Sequence, residues 1–411
     1  MYFIQELNPS IAHIDLNNQM KRLAIITTHP IQYYAPLFRL LNERGLVKPK
    51  VFYTWWQAKE KVEDKGFGKT IQWDIPLLEG YEHQFIPTKG VGKKTFFGID
   101  NPELLNEITK WNPDAILVYG WNFKSHLQVM RHFNGKVPVW FRGDSHLLDE
   151  KGNIKDSIRR LLLYWVYSHI DRAFYVGTHN KNYFLKHGLK EEQLVFAPHA
   201  IDNERFKDNK HHNYKEKALE WRNELGYEPD DIVILFAGKF EKKKDPLLLL
   251  QAVKNINHSL IKSFTSPRLN LLLVGNGPLE NLLKEKGEDD IHIKFLPFQN
   301  QSVMPVLYRV GDLYCLPSKG PGETWGLAVN EALACSRPVL VSDKVGCAKD
   351  LVIEGKNGFI FTSGSIESLI SKLQSFIKAN HDLRAQSFAA VTDWNYQAII
   401  EAIHQSFGIK S

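Results

Sequence analysis

Cysteine is scarce in this chain of 411 residues: Cys315, Cys335 and Cys347 are the only three, with no CxxC pair and no spacing of a disulfide framework. That points to a reducing compartment, the cytoplasm. Long apolar runs are lacking too. The clearest, Leu161 to Tyr167, falls far short of the ~20 residues that span a bilayer. The first 20 residues have neither the basic start nor the continuous apolar stretch of a secretory signal. Met20 stands directly before Lys21, Arg22 and a strand-like run, so residues 1–20 are expected to be a disordered leader, with Met20 as a candidate start. Histidines at metal-ligand spacing are missing; the pair His211 and His212 has no third partner and reads as solvated. A strong charge imbalance is missing as well. A net charge of +6 suits an anionic substrate or an anionic membrane surface, and the basic residues form no long stripe of the kind nucleic acid requires.

What the chain does have is repeated alternation of short apolar runs with helix-like segments. Leu23–Thr27 comes first, followed by runs at 51–54, 115–119, 137–141 and 173–176; after a charged stretch at 207–230 the pattern restarts at Ile232–Ala237. This is the pattern of two doubly wound α/β domains. The expected boundaries are 21–200 for the first, completed by the helical tail 394–411, and 201–393 for the second. Residues 56–95 show no period and read as a surface insertion over the first sheet. IEGKNGFIF reads as a hairpin-like return.

Ligands of such sheets collect beyond the carboxyl ends of the strands. In the first domain this nominates His29, Gln32 and Tyr33 after the first strand, and Arg142, Asp144 and His146 in VWFRGDSH. A histidine beside a carboxylate can handle protons near neutral pH, although a hydrogen-bonded loop anchor uses the same residues. The helical segment KDSIRRLLLYWVYSHIDR sets Arg159 and Arg160 beside a bulky apolar face. Core packing is the expected use of that face, with a peripheral contact to an anionic membrane as the alternative.

In the second domain GKFEKKKDP places four lysines within six residues at a strand end, as point charges for phosphate. GNGP puts Gly275 and Gly277 in a tight strand-to-helix turn. The stretch from Ser318 to Asp350 carries Glu323 on a loop containing Gly320 and Gly322, and Glu331 eight residues later in a helix-like run. At ~1.5 Å of rise per residue the two backbones stand ~12 Å apart. That separation suits two ends of a nucleotide-diphosphate-sugar better than one proton-sharing pair. The helix start between them offers N–H groups to a diphosphate. A solvated helix residue and a first-turn acid would satisfy the same spacing.

GKFEKKKD, LLLVGNGPLENLL, FLPFQNQSVMPVLYRVGDLYCLPS and GETWGLAVNEALACSRPVLVSDKVGCAKDLV, in this order, resemble the family 4 (group 1) retaining glycosyltransferases of the GT-B fold. The resemblance covers Ile232 to Phe361 strongly and extends more weakly to VGTHNKNYFLKHGL and APHAID in the first domain. It implies two facing Rossmann-like domains with an interdomain cleft and a C-terminal helix returning to the N-terminal domain. It also implies a UDP- or GDP-sugar held by the second domain and a glycan or lipid-linked glycan acceptor held by the first, in cell-surface polysaccharide biosynthesis.

Carried onto this sequence, the resemblance gives Glu323 to the donor hexose and Glu331 to the ribose. Lys239, at a position usually held by arginine, and Lys244 neutralise the departing diphosphate in place of a metal, and no cofactor is implied. Pro297, Phe298 and Gln299 would meet the base. Gly322, Thr324, Trp325, Gly326, Leu327 and Ala328 would line the donor, the last three through backbone amides. The acceptor-side catalytic residue is Asp144 or His146. HPIQYY stands where many members have a glycine-rich loop. Two other uses of such a chain are a nucleotide-sugar epimerase and a catalytically silent sugar-nucleotide-binding subunit.

Overall fold

The computed structural model describes residues 20–55, 62–64, 69–71, 73–89, 93–209, 211–263, 269–379 and 383–408. The expected leader, Met20 apart, lies outside them, as does part of the segment 56–95. Fifteen described strands follow in chain order: β1 Arg22–Thr27, β2 Lys48–Tyr53, β3 Val62–Asp64, β4 Lys69–Ile71, β5 Glu82–Phe85, β6 Ala115–Tyr119, β7 Val139–Arg142, β8 Arg172–Tyr175, β9 Leu194–Phe196, β10 Ile232–Ala237, β11 Leu269–Val274, β12 Ile293–Leu296, β13 Leu313–Leu316, β14 Val339–Ser342 and β15 Gly358–Phe361.

They build two parallel sheets, β5-β2-β1-β6-β7-β8-β9 and β12-β11-β10-β13-β14-β15, with β3 and β4 as a separate antiparallel pair. The runs that read as continuous apolar segments are the central strands. Residues 23–27 and 233–237 are buried throughout, as a parallel sheet covered by helices on both faces demands. In each sheet the strand order reverses once, between β1 and β6 and between β10 and β13. These are the two places where an open α/β sheet leaves a crevice.

Three differences from the sequence reading have physical causes. The segment 56–95 is not all surface insertion, because Glu82–Phe85 pairs with β2 as an edge strand. Its residues EHQF contain no apolar run, since an edge strand is half solvated. Leu194–Phe196, absent from the runs read as strands, adds the opposite edge beside β8. IEGKNGFIF forms no hairpin: β15 runs parallel to β14, and the turn before it closes on Asn357, whose Oδ1 accepts the Ile353 N–H at 2.8 Å.

The last helix, Tyr396–Gly408, lays Tyr396, Ile399, Ile400 and Ile403 into the core of the first sheet beside Trp140 and Phe174. Replacing the fully buried Ile400 by Ala removes three methylene equivalents from that core and is expected to destabilise the chain by about 2–5 kcal/mol. Urea denaturation measures this, and a loss below about 0.5 kcal/mol would contradict the docking of the helix.

Candidate active site

The two crevices face each other, and a cavity of about 470 Å³ lies between them. Its N-terminal-domain wall is the turn His29, Pro30, Ile31, Gln32 and Tyr33 with Trp73, Asp144 and His199. Its C-terminal-domain wall comes from the strand ends of β10 and β11, the loop at Phe298 and Gln299, and the stretch from Glu323 to Glu331.

The strand end of β10 carries the lysines. Gly275 and Gly277 adopt φ of +146° and +155°, and a Cβ would come within 2.0 Å of the Gly238 carbonyl at the first and 2.7 Å of the Phe240 carbonyl at the second. The GNGP turn therefore interlocks with the loop that carries Lys239, and only glycine fits at either point. Lys239, Lys243 and Lys244 all line the cavity. Lys244 Nζ donates to Glu323 Oε2 at 2.8 Å, and Ser318 Oγ donates to the same oxygen at 2.9 Å. Burial of Glu323 raises its pKa, but Lys244, Ser318 and Lys243 outweigh that and hold it below the ordinary glutamate value.

Glu331 is in the opposite condition. It sits in the helix Leu327–Ala334 and is 2% exposed. Tyr308 donates to its Oε2 at 2.6 Å, and Tyr33 reaches it from the other domain. Burial nevertheless dominates and raises its pKa, and Oε1 has no hydrogen-bond partner among the described residues. This is a buried acceptor without a donor, at the wall of a cavity. The same helix begins at Gly326, whose φ of +93° turns the chain so that Gly326, Leu327 and Ala328 line the cavity. The first N–H groups of a helix have no acceptor within it, and here they belong to residues that line the cavity between Glu323 and Glu331.

On the other wall Thr324 Oγ1 donates across the cleft to Asp144 Oδ2 at 2.7 Å, and His199 Nε2 stands 3.8 Å from the same oxygen. Burial opposes ionisation of Asp144, yet His199 and Thr324 together bring its carboxyl down to about 2. His199 is itself pushed below the usual histidine value, chiefly by burial, so it stays neutral and Asp144 is the charged member. His29 lines the cavity with its Nδ1 2.7 Å from the Thr28 hydroxyl and its ring edge-on to Trp55 at 5.5 Å.

Several expected site residues lie elsewhere. His146 is buried outside the cavity wall: its Nδ1 accepts from Leu148 N at 3.2 Å, so Nε2 carries the proton and donates to the Glu323 carbonyl at 3.2 Å. It is a domain-spanning prop, and of the open pair only Asp144 reaches the cavity. The Arg142 guanidinium is consumed by the carbonyls of Ala197 and Pro198, both at 2.8 Å. The Gly322 amide does not face the cavity; it donates to Asp149 Oδ2 of the first domain at 2.9 Å. Gly277 and Pro297 shape their turns without lining the wall, whereas Phe298, Gln299 and Trp325 do line it. Trp325 is also locked by Nε1 donation to Asn330 Oδ1 at 2.8 Å.

Residues the sequence reading passed over are His199, Tyr308, Trp73 and Gln301. His199 stood in the quoted APHAID segment, where only its place at a strand end could have signalled it. Tyr308 had no local signal, because its partner Glu331 is 23 positions away.

Residues 217–390 match the family described as glycosyl transferases, group 1. A D-inositol 3-phosphate glycosyltransferase of Segniliparus rotundus is 30% identical over 178 residues, 41% of this chain and 37% of that protein. A phosphatidyl-myo-inositol mannosyltransferase of Mycobacterium leprae is 30% identical over 166 residues, 40% of this chain and 42% of that one. The chain thus spans about two fifths of the length of these relatives. Among solved structures, the Anabaena protein HepE in complex with UDP and glucose superimposes with a TM-score of 0.66 at 17% identity, covering 94% of this chain and 99% of that one. Sucrose-phosphate synthase from Thermosynechococcus elongatus gives 0.71 at 17% identity, over 94% and 98%. Through residues 217–390 this chain carries the domain of the group 1 glycosyl transferases, set in the two-domain GT-B fold.

Proposed function

We propose that the protein is a family 4 retaining glycosyltransferase that moves a hexosyl unit from a UDP-sugar to a lipid-linked glycan acceptor in the assembly of cell-surface polysaccharide. The observation that carries the reading is the order of groups along one wall: an orphaned Glu331 oxygen, a helix start, then the Lys244–Glu323 pair with Lys239 and Lys243 beside it. A ribose hydroxyl donates to Glu331 Oε1, the diphosphate lies on the N–H groups at 326–328, and the hexose reaches Glu323. UDP is preferred to GDP as the carrier because a protein of the same fold is held with UDP and glucose.

In the reaction the acceptor oxygen bonds to the anomeric carbon on the face from which the diphosphate departs. The carbon–phosphate-oxygen bond breaks, and the departing oxygen takes the acceptor's proton. Charge builds on the diphosphate, and three lysines and a helix start supply the opposing potential without a metal ion. Lys244 would exchange its bond to Glu323 for one to the diphosphate, leaving the carboxylate beside the developing positive sugar. No covalent glycosyl-enzyme is required. Asp144 and the His29 to Tyr33 turn face this point from the acceptor side.

The helix Ile154–Tyr167 favours a lipid-linked acceptor over a free glycan. Leu163, Val166 and Tyr167 enter the core, so part of the expected core packing holds. Ile154, Ile158, Leu161, Leu162 and Trp165, however, are 79, 63, 73, 45 and 43% exposed. At ~100° per residue these five form one stripe ~100° wide on the side away from the core, flanked by the exposed Lys155, Arg159 and Arg160. An apolar stripe bordered by cations is the surface an anionic membrane binds. Among the described residues no helix is long and apolar enough to cross a membrane.

Three outcomes are expected. UDP or UDP-glucose raises the melting temperature, and Lys244→Ala lowers glycosyl transfer about 10²- to 10³-fold while the fold survives; no stabilisation by any nucleoside diphosphate would remove the donor site, and sugar interconversion without acceptor would point to an epimerase instead. Glu331→Gln weakens UDP binding yet stabilises the free protein. The raised pKa of Glu331 means its stability contribution is intact below the unfolded glutamate pKa and lost as pH rises through the folded one, so the variant's thermal gain should be larger at pH 8 than at pH 5. Third, the protein co-sediments with vesicles containing phosphatidylglycerol, less so at high salt, and Leu161→Glu with Trp165→Glu releases it. Unchanged sedimentation of that double variant would reject the stripe as the docking face.

A further inference from the structure

A second cavity, of about 800 Å³, opens at the opposite ends of the second sheet, beside Asp231, Asp312 and Arg337, which precede β10, β13 and β14. Its wall brings together Arg222, Arg309, Arg337 and Arg384. Three of these guanidiniums are accounted for. Arg222 donates to Asp312 Oδ2 at 3.1 Å and to the carbonyls of Val310 and Asp231, each at 2.7 Å. Arg309 is held by Asp208 Oδ1 at 2.9 Å and by the carbonyls of Pro305 and Phe206. Arg384 donates to Asp312 Oδ1. The Val233 N–H, at 2.9 Å, further occupies Asp312 Oδ2, so the acid at the centre of the cluster is already shared.

Arg337 is the exception. It is 9% exposed, and its Nε is buried without a hydrogen-bond partner among the described residues. None of the ion pairs in which Asp208 and Asp312 engage includes it. Burial, then Arg384, push its guanidinium down to about 10, so it remains a cation at neutral pH. The turn that delivers it is itself costly: Ser336 sits at φ +57°, a conformation side chains other than glycine rarely adopt. A buried guanidinium whose Nε has no hydrogen-bond partner carries a desolvation penalty that the charge of the nearby Asp312 offsets only in part. An anion of matching geometry supplies the missing partner, and phosphate meets a guanidinium fork with two parallel bonds.

We propose that this cavity binds a small soluble phosphate monoester, its phosphate on Arg337 and Arg384. The exposed Lys378 stands at the rim, and Ala218, Pro229, Ile232 and Ile377 offer an apolar wall to the organic body. The site is separate from the donor cavity. The helix Leu327–Ala334 begins at one and ends, through Cys335, beside Arg309, which donates to Cys335 Sγ at 3.1 Å.

The test is titration calorimetry with inorganic phosphate on the full chain at constant ionic strength, performed in the Lys244→Ala background so that the donor site is weakened, with the Arg337 and Arg384 variants identifying which site remains. One phosphate site is expected to persist there. Arg337→Gln should weaken it about tenfold or more, as loss of a charge-assisted pair does, and should raise the melting temperature of the ligand-free protein because an unpaired buried cation is gone. Should Arg337→Gln fail to fold, Arg384→Gln, a half-exposed position, is expected to weaken phosphate by a similar factor with the fold intact. Phosphate affinity unchanged by either variant overturns the assignment. So does retention on phosphatidic acid vesicles through Arg337 without binding of free phosphate, which would make the ligand a lipid headgroup.

Discussion

Two opposite charges held 2.8 Å apart inside a protein wall survive there because each offsets the other's desolvation, and removing either strands a buried charge. Lys244 and Glu323 form that pair, and the cleft is arranged around it. The loop that carries Glu323 is tied to the first domain at three successive points: Gly322 N to Asp149, the Glu323 carbonyl to His146, and Thr324 Oγ1 to Asp144. The Glu323 carbonyl also accepts the Gly346 N–H at 3.2 Å. In the proposed reaction, a diphosphate that drew Lys244 away would act on a loop whose backbone is fixed by both domains, and the carboxylate would be released without the loop moving. Catalytic geometry of this kind costs little reorganisation when charge develops.

The same contacts explain why the domains meet where they do. A Cβ on Gly177 would come within 2.4 Å of the Trp325 ring and 2.7 Å of Asp350, so the first domain approaches the second at a glycine. Asp350 then accepts the Thr178 N–H at 3.0 Å, and Asn330 donates to the His199 carbonyl at 3.1 Å. Trp325 is thus at once part of the wall of the interdomain cavity and a spacer between domains. Its substitution would be felt at both.

Much of this was legible in the sequence, for a physical reason: strands buried on both faces must be apolar throughout, and turns that bring two backbones within van der Waals contact must be glycine. LAIIT, IVILFA and GNGP announce themselves on those grounds. Lys244 and Glu323 were legible because a charged residue at a strand end or helix-entry loop has few purely structural uses. Illegible were the roles set by partners far along the chain. Nothing in RGDSH distinguishes His146, whose partner is 177 residues on, from a cavity-facing histidine, and Arg142 faces carbonyls 55 and 56 residues away. Gly322 misled because a glycine that admits close approach does not say what approaches; here it is Asp149. The helix 154–167 carries apolar residues on two faces, and periodicity cannot decide which of them is taken inward.

The two glutamates eight residues apart show how one side chain acquires two chemistries. Glu323 is buried with a cation, a serine hydroxyl and a second lysine nearby, and its carboxylate form is favoured. Glu331 is buried with tyrosine hydroxyls and no cation in direct contact, and its carboxylate form is disfavoured. A group held charged by a lysine suits a position beside developing positive charge on a sugar, where it must stay ionised throughout. A group left with an unused lone pair in a dry wall suits a neutral donor such as a hydroxyl, since each hydrogen bond it gains relieves a penalty already incurred on folding. Exchanging the two environments would leave both residues in place and remove both roles. The division therefore rests on what surrounds each carboxylate: Lys244 and Ser318 for one, Tyr308 and Tyr33 for the other.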